Sequence, residues 1–312
     1  MTKFKIFKND ILNQKFEDEG YVKLKLFNSA DCSKIKNEAL DKFYKHSHQK
    51  HYFFPIPNPS TTDAECRRLH SFFENIVEEK VYEHLNSDYS LGFSGLFYKK
   101  RKSKELIFHV DQTYYNQKSN NPPIHIWAGV EKTTIKNGCL RVVPKSHKLS
   151  FDYEAFPFNT LGNTARSANL KDAYNELIDK YAIDIPLKKG EVIIHHQSLI
   201  HGSRPNNSYF KKRIAFKITL NPKDIDYFEI AYFHEERNTV EIFGAIKDVI
   251  TNNLTAFDNY EYIKKLVKSG KISLIKELKL EVSNLPFKSL KEMEEIMETP
   301  GNYLKAKFEL CK

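Results

Sequence analysis

The sequence has few cysteines and no long apolar run, and each absence excludes a class of protein. Its four cysteines lie far apart and form no CxxC pair: Cys32, Cys66, Cys139 and Cys311. This spacing argues against a zinc ribbon or a disulfide scaffold and is typical of a reducing compartment, so we expect a cytoplasmic protein. No segment approaches the roughly 20 apolar residues of a membrane span.

The first residues, MTKFKIFKNDILNQKF, lack the features of a signal peptide. Lysines are interspersed with apolar residues, and there is neither a continuous apolar core nor a small-residue cleavage site. No internal repeat or low-complexity tract follows. With 40% hydrophobic and 13% aromatic residues over 312 positions, the composition predicts a globular chain of one large decorated domain or two small ones.

The net charge of +9 raises the question of a nucleic-acid partner. The lysines are scattered over every segment and alternate with glutamates, which is typical of a solvated surface. We therefore expect no nucleic-acid partner. The excess positive charge favours an anionic small-molecule substrate, or an acidic carrier that delivers one.

The pattern of apolar residues divides the chain into three stretches. The first 95 or so residues are mixed, with a helix beginning after Asp31 as its N-cap and another over 67–85. From about 91 to 220, short strand-like runs alternate with turn signals, which predicts an all-β barrel or sandwich. The interruption over 152–180 is too long for a hairpin turn and predicts a lid over a site.

After residue 220 the pattern becomes helical again, in TVEIFGAIKDVI and in YEYIKKLVKSGKISLIKELKLEV. We therefore predict a domain over 1–220, with its β core at about 91–220, and a helical extension over 221–312 packed on that core. The extension is either a packing cap or a dimerisation element, and in the second case the protein would be a homodimer.

One strand-like run carries a pair of metal-ligand residue types. Residues i and i+2 of a strand point to the same face, so His109 and Asp111 can project together. A second histidine would complete a face of two histidines and one carboxylate, which leaves three positions open on six-coordinate Fe(II). The later run GEVIIHHQSLIHGS offers His195, His196 and His201, of which His201 is the strongest because Gly202 permits a close backbone approach.

Two residues that could bind an anion, Ser203 and Arg213, follow the histidines in the sequence. Ser203 faces the same way as His201 if that strand continues. Arg213 stands in the apolar run RIAFKI, where a lone arginine is costly unless it meets an anion. A guanidinium binds a carboxylate with two parallel hydrogen bonds. A hydroxyl and an arginine beside an iron site together indicate an anchor for a dicarboxylate co-substrate.

Four segments in this order resemble a known family. They are FEDEGYVKL (16–24), HVD with the tyrosine pair that follows it, WAGVEKTTIKNGCLRVVPKSH (127–147), and HGSRPNNS followed by Arg213. Over residues 16–220 the sequence resembles the phytanoyl-CoA dioxygenase (PhyH) family of Fe(II)/2-oxoglutarate oxygenases. The resemblance implies a mainly β fold with flanking helices, built on a double-stranded β-helix (a cupin-like jelly roll).

The resemblance also implies roles for individual residues. His109, Asp111 and His201 would ligate iron, and Arg213 and Ser203 would hold the distal carboxylate of 2-oxoglutarate. Trp127 takes the place where the family has a residue near the co-substrate. The basic cluster 211–213 leaves Lys212 as an alternative to Arg213, because the usual spacing is displaced by one residue.

The reaction implied by the resemblance consumes 2-oxoglutarate and O2 at Fe(II), with ascorbate as a stimulant, and releases succinate and CO2. The expected outcome is hydroxylation of an unactivated C–H bond in a small-molecule, CoA-linked or carrier-linked substrate. Asp111 argues against halogenation, since related halogenases have a small residue there. Desaturation or oxidative cyclisation in a biosynthetic pathway remains an alternative, as does a barrel that binds ligand without turnover.

Several further residues carry weaker expectations. Three aromatic residues are expected in the core and would shape the substrate pocket if they face inward: Phe108, Tyr114 and Tyr115. Arg141 is expected to be either a buried cation or a partner for an anionic substrate. His195 and His196 point to opposite faces, so one of them faces the barrel interior. We expect His147 to be a structural hydrogen-bonder. The histidines at 46, 48 and 51 are expected in a surface loop.

Overall fold

The computed structural model describes residues 5–45, 53–56, 62–86, 88–109, 121–149, 176–224, 227–234, 237, 239–246, 249, 260–279 and 290–300. The main α-helices are α1 (Asp10–Glu19), α2 (Ser29–Lys45), α3 (Asp63–Ile76), α4 (Tyr260–Lys268) and α5 (Leu290–Glu298). None of these helices is both long enough and apolar enough to cross a membrane. The three cysteines in this part of the chain form no disulfide.

Two antiparallel sheets form the centre of the fold. The large sheet has the order β1 (Tyr21–Lys25), β8 (Glu191–His196), β5 (Ile124–Gly129), β10 (Arg213–Pro222), β3 (Tyr89–Lys99), β2 (Phe53–Ile56). The small sheet has the order β4 (Leu106–His109), β9 (His201–Ser203), β6 (Leu140–Val142), β7 (Ile183–Ile185). Strands are therefore present throughout the described part of the 91–220 region, and strands distant in sequence pair with one another.

Both faces of the large sheet are buried, which explains its nearly continuous apolar runs. Because strand residues alternate between faces, one set packs on α1, α2 and α3 and the other packs on the small sheet. The helix-facing set includes Ile126, Ile194 and Phe216. The set that faces the small sheet includes Trp127, Ile193 and Ala215, which pack with Leu140 and Val142.

The N-cap of α2 differs from the prediction. Asn28 Oδ1 accepts hydrogen bonds from the backbone N–H groups of Ala30 and Asp31, and Asp31 Oδ2 accepts one from the N–H of Asn28. Asn28 is thus the N-cap, and Asp31 closes the reciprocal pair three residues later. The prediction of Asp31 as N-cap was wrong because both residues are good caps, and the helix takes the earlier one.

A turn around His147 joins the first and last described helices to the β core. The His147 Nε2–H group donates to the carbonyl of Glu17 at 3.0 Å, near the end of α1. Lys145 Nζ donates to the carbonyls of Met297 and Thr299, at 2.7 and 2.5 Å, and so caps the end of α5. The prediction that His147 is a structural hydrogen-bonder is confirmed.

His147 makes the stability of the fold depend on pH. Burial lowers the pKa of His147 to about 4, whereas the ordinary value of 6.5 applies to the unfolded chain. Below pH 6.5 the His147 imidazole binds a proton in the unfolded chain but stays neutral in the folded chain. The folded state therefore loses stability progressively as the pH falls towards 4. Urea unfolding should show the parent losing about 2.5 kcal/mol of stability between pH 7.5 and pH 4.5 through this residue. The His147→Gln variant should lack that loss. The same loss in both proteins would contradict this assignment.

The region after residue 220 is only partly helical. Helices α4 and α5 are present, but TVEIFGAI forms β12 (Thr239–Ile246) and ISLIKELK forms β13 (Ile272–Lys279). With β11 (Tyr227–His234) they build a three-stranded antiparallel sheet in the order β11-β12-β13. The helical prediction for both stretches was wrong, because short apolar runs fit either periodicity and pairing with neighbouring strands decided between them.

Candidate metal and co-substrate site

His109 and His201 face each other across the β4–β9 ladder. They are direct register partners, and their ring centroids lie 4.4 Å apart. The strand expected for HGS is present as β9, so His201 and Ser203 share a face as predicted. Two of the three predicted iron ligands are therefore neighbours.

The tautomer of His201 suits a metal ligand. Its Nδ1 lies 2.9 Å from the carbonyl oxygen of Leu199, and a carbonyl can only accept, so the proton lies on Nδ1. The neutral ring then carries its lone pair on Nε2. A carbonyl that orients a histidine through its other nitrogen is a common arrangement around protein-bound metals.

Several predicted residues lie outside the described part of the chain. They are Asp111, Tyr114 and Tyr115, the histidines at 46, 48 and 51, and most of the predicted lid, of which only 176–180 are described and helical. Within the described residues no three histidine, cysteine or acidic side chains are arranged so that they could hold a metal ion. The role of Asp111 as third ligand stays a prediction.

Five described residues of the predicted metal and co-substrate site line one cavity of about 170 Å³. Its lining includes His109, Trp127, His201, Ser203 and Arg213, together with Lys217 and apolar side chains of both sheets. The sequence predicted one site for these five residues, which lie on four different strands, β4, β5, β9 and β10. The structure brings all five together.

Arg213 is a buried cation in the lining of this cavity. Its Nη1 donates to the carbonyl of Gly138 at 2.6 Å, and its guanidinium carbon lies 5.2 Å from the ring centroid of Trp127. Its buried Nε has no hydrogen-bond partner among the described residues, and no described carboxylate lies within ion-pair distance of it. Burial lowers the pKa of Arg213 to about 10, which leaves it charged at neutral pH. A buried guanidinium with an unused N–H fits a carboxylate ligand.

Lys212, the alternative anchor, points elsewhere. Its side chain is exposed, and its ammonium lies over the ring of Tyr98 at 5.5 Å. Lys212 is not among the residues that line the cavity of His109 and His201. The placement favours Arg213 over Lys212.

Lys99 lies beside the predicted site, although the sequence shows no sign of a role for it. It is fully buried at the end of β3, directly opposite Arg213 in the register of β3 and β10. Its Nζ donates to Ser203 Oγ at 2.9 Å and to the carbonyl of Arg204 at 2.5 Å. Burial, with a contribution from Arg213, lowers the pKa of Lys99 to about 7. In the sequence Lys99 is one of several lysines after an apolar run, so nothing marks it.

Buried imidazoles continue from the histidine pair into the core. The His195 ring lies 4.7 Å from that of His201 and 5.1 Å from that of His125. His196 lies on the other face of β8, beside Phe16. The prediction that one of the two adjacent histidines faces the interior is confirmed, and it is His195. His125 was missed, because a single histidine in an apolar strand carries no signal.

Phe108 and Arg141 contact each other away from this cavity. The Arg141 guanidinium lies 4.8 Å from the ring centroid of Phe108, and its Nη2 donates to Asp179 at 3.2 Å. Phe108 is adjacent to His109 in β4, so the two side chains take opposite faces. Neither Phe108 nor Arg141 is among the residues that line the cavity.

The chain belongs to the phytanoyl-CoA dioxygenase family. Residues 16–214, well over half of the sequence, match the family model described as Phytanoyl-CoA dioxygenase (PhyH). This match agrees with the order of motifs in the sequence and with the cavity that those motifs form. It confirms the family resemblance.

Curated relatives match at low identity. The human peroxisomal phytanoyl-CoA dioxygenase is 25% identical over 177 residues, which cover 56% of this chain and 51% of that protein. A probable alpha-ketoglutarate-dependent hypophosphite dioxygenase of Stutzerimonas stutzeri is 24% identical over 217 residues, covering 64% of this chain and 74% of that one. The chain spans about half the length of the human relative.

A solved structure supports the fold. The non-heme alpha ketoglutarate dependent carbocyclase SnoK from nogalamycin biosynthesis superposes with a TM-score of 0.53 at 14% sequence identity, over 72% of this chain and 86% of that chain. At this identity the likeness concerns the fold alone. It confirms the predicted fold class, a jelly roll with flanking helices.

Proposed function

We propose that the protein is an Fe(II)- and 2-oxoglutarate-dependent dioxygenase that hydroxylates an unactivated C–H bond of a small molecule. One observation carries the proposal. A histidine pair, one ring with its tautomer set by a backbone carbonyl, shares a cavity with a buried arginine that has no described carboxylate partner. Membership of the phytanoyl-CoA dioxygenase family supports it.

In this proposal His109, Asp111 and His201 hold the iron, which when bound supplies the O2-dependent oxidation of 2-oxoglutarate and substrate. Arg213 and Ser203 bind the distal carboxylate of 2-oxoglutarate at the other end of the cavity. Trp127 packs beside the guanidinium and limits its movement. The bond from His201 to the Leu199 carbonyl holds the imidazole in one orientation before the metal binds.

The apolar lining of the cavity contributes by excluding water. Phe97, Leu106 and Leu140 surround the histidine pair and the arginine. In so small and apolar a space the attraction between the guanidinium and a carboxylate is stronger than in water. We therefore expect the co-substrate to bind in one orientation next to the metal.

The substrate class and the domain division are part of the same proposal. The human relative is named for a CoA thioester, and the net charge of +9 favours an anionic substrate, so we propose one that is anionic or linked to CoA or an acidic carrier. Residues 1–220 form the dioxygenase domain and 221–312 an extension packed on it. Asp111, as a carboxylate ligand, favours hydroxylation over halogenation.

Anaerobic addition of Fe(II) and then 2-oxoglutarate to the protein tests the proposal. We expect a weak charge-transfer band in the visible, because both ends of the co-substrate find their partners in one cavity. Succinate in place of 2-oxoglutarate should give no band, since it lacks the keto acid end. Absence of the band with 2-oxoglutarate would overturn the proposal. Once the band is established, succinate release under O2 serves to screen substrates.

A further inference from the structure

Lys99 is buried beside the co-substrate end of the cavity at an energetic cost. Its side chain has no exposed surface, and the residue opposite it on the neighbouring strand is Arg213, a second buried cation. Among the described residues, no carboxylate lies within ion-pair distance of either. A methionine would fill the same space without the cost of burying a charge. The ammonium therefore needs an explanation other than packing.

The hydrogen bonds of Lys99 restrict what Ser203 can do. Lys99 Nζ donates to Ser203 Oγ at 2.9 Å, so the hydroxyl oxygen of Ser203 is the acceptor in this bond. This bond leaves the hydroxyl proton of Ser203 available for donation to another group. Ser203 lines the cavity beside Arg213, whereas Lys99 lies behind it and is not part of the lining. An acceptor within the cavity is the partner that this arrangement favours.

We propose that Lys99 is a positioning residue for the co-substrate. Its side-chain nitrogen holds Ser203 so that the hydroxyl donates to the distal carboxylate of 2-oxoglutarate, and the charge of its protonated form adds to that of Arg213. This proposal rests on the proposed function. It predicts that the protein selects a dicarboxylate, because the two cations together match a carboxylate at the far end of the ligand.

Calorimetric titration of the Mn(II)-loaded protein tests the proposal without turnover. Two ligands are compared, 2-oxoglutarate and 2-oxopentanoate, which has the same keto acid end and lacks the distal carboxylate. We expect Lys99→Met to weaken 2-oxoglutarate binding about 10- to 100-fold and to leave 2-oxopentanoate binding unchanged. A merely structural role would weaken both ligands equally, and that result would overturn the proposal.

A double-mutant cycle with Ser203→Ala tests whether Lys99 acts through the hydroxyl. The loss caused by Lys99→Met should be smaller in the Ser203→Ala background than in the parent. Equal losses in both backgrounds would contradict positioning through Ser203. If Lys99→Met does not fold, Lys99→Gln replaces it in the same cycle, since it also removes the charge. Lys212→Met, an exposed lysine one residue from Arg213, is the matched control and should bind both ligands as the parent does.

The possible failures are distinguishable. If the parent protein binds neither ligand, the result contradicts the proposed function and, with it, the role of Lys99. A parent that binds 2-oxoglutarate, together with a Lys99→Met variant that binds it equally well, would overturn the role of Lys99 alone.

Discussion

Replacement of His201 by alanine is expected to reduce turnover at least about 1,000-fold, which corresponds to about 4 kcal/mol of lost transition-state stabilisation. The substitution removes an imidazole whose tautomer is set by the Leu199 carbonyl, and it leaves His109 without its partner across the ladder. The same variant should lose the charge-transfer band with Fe(II) and 2-oxoglutarate. Bound iron, measured by elemental analysis, should fall to a small fraction of that in the parent.

A control separates this effect from a general loss of structure. His84, a half-buried histidine that is not among the residues lining the cavity, serves for the matched substitution His84→Ala, which should keep its iron and its band. Thermal unfolding followed by circular dichroism checks that the His201 variant is folded. A folded His201→Ala protein with full iron content and normal turnover would show that the metal, if bound, lies elsewhere.

Replacement of Arg213 by leucine is expected to raise the KM for 2-oxoglutarate by about 100- to 1,000-fold. Arg213 is buried, its Nε has no partner among the described residues, and its side chain lines the cavity. Arg213→Lys should recover only part of the loss, because an ammonium lacks the planar pair of donors that matches a carboxylate. Succinate release as a function of 2-oxoglutarate concentration gives both values.

The neighbouring lysine provides the control for this experiment. Lys212→Met removes a charge one residue away, but the Lys212 ammonium lies over Tyr98 on the exposed surface. Its KM for 2-oxoglutarate should equal that of the parent. A large rise in KM for Lys212→Met, with little effect of Arg213→Leu, would assign the carboxylate to the other residue of the basic cluster.

Much of the site could be predicted from local sequence because strand geometry is simple. A two-residue alternation was enough to place His201 and Ser203 on one face, and the apolar run around Arg213 indicated a buried cation. An all-β barrel or sandwich was predictable for the same reason, since its strands are short apolar runs between clear turns, whereas the jelly roll itself followed from the family resemblance. Pairing partners were not predictable, because β4 meets β9 only through the folding of the segments between them.

The residues that escaped prediction depend on that pairing. Lys99 is an ordinary lysine until β3 lies beside β10 and places it opposite Arg213. His125 enters the row of imidazoles only because β5 pairs with β8. The C-terminal strands β12 and β13 have apolar residues that suit a helix equally well until a neighbouring strand supplies hydrogen bonds. In each case the deciding contact is distant in sequence.

The turn around His147 has a consequence for the order of events during synthesis. Its bonds reach residues 130 positions earlier and 154 positions later in the chain, at Glu17 and Thr299. The same turn supports the strand of His201, since Ser146 Oγ accepts a hydrogen bond from the N–H of Ile200 at 2.8 Å. Contacts this distant form slowly, because a long loop must close before they stabilise anything. During synthesis, the set of hydrogen bonds made by the turn around His147 is therefore complete only after α5 has left the ribosome.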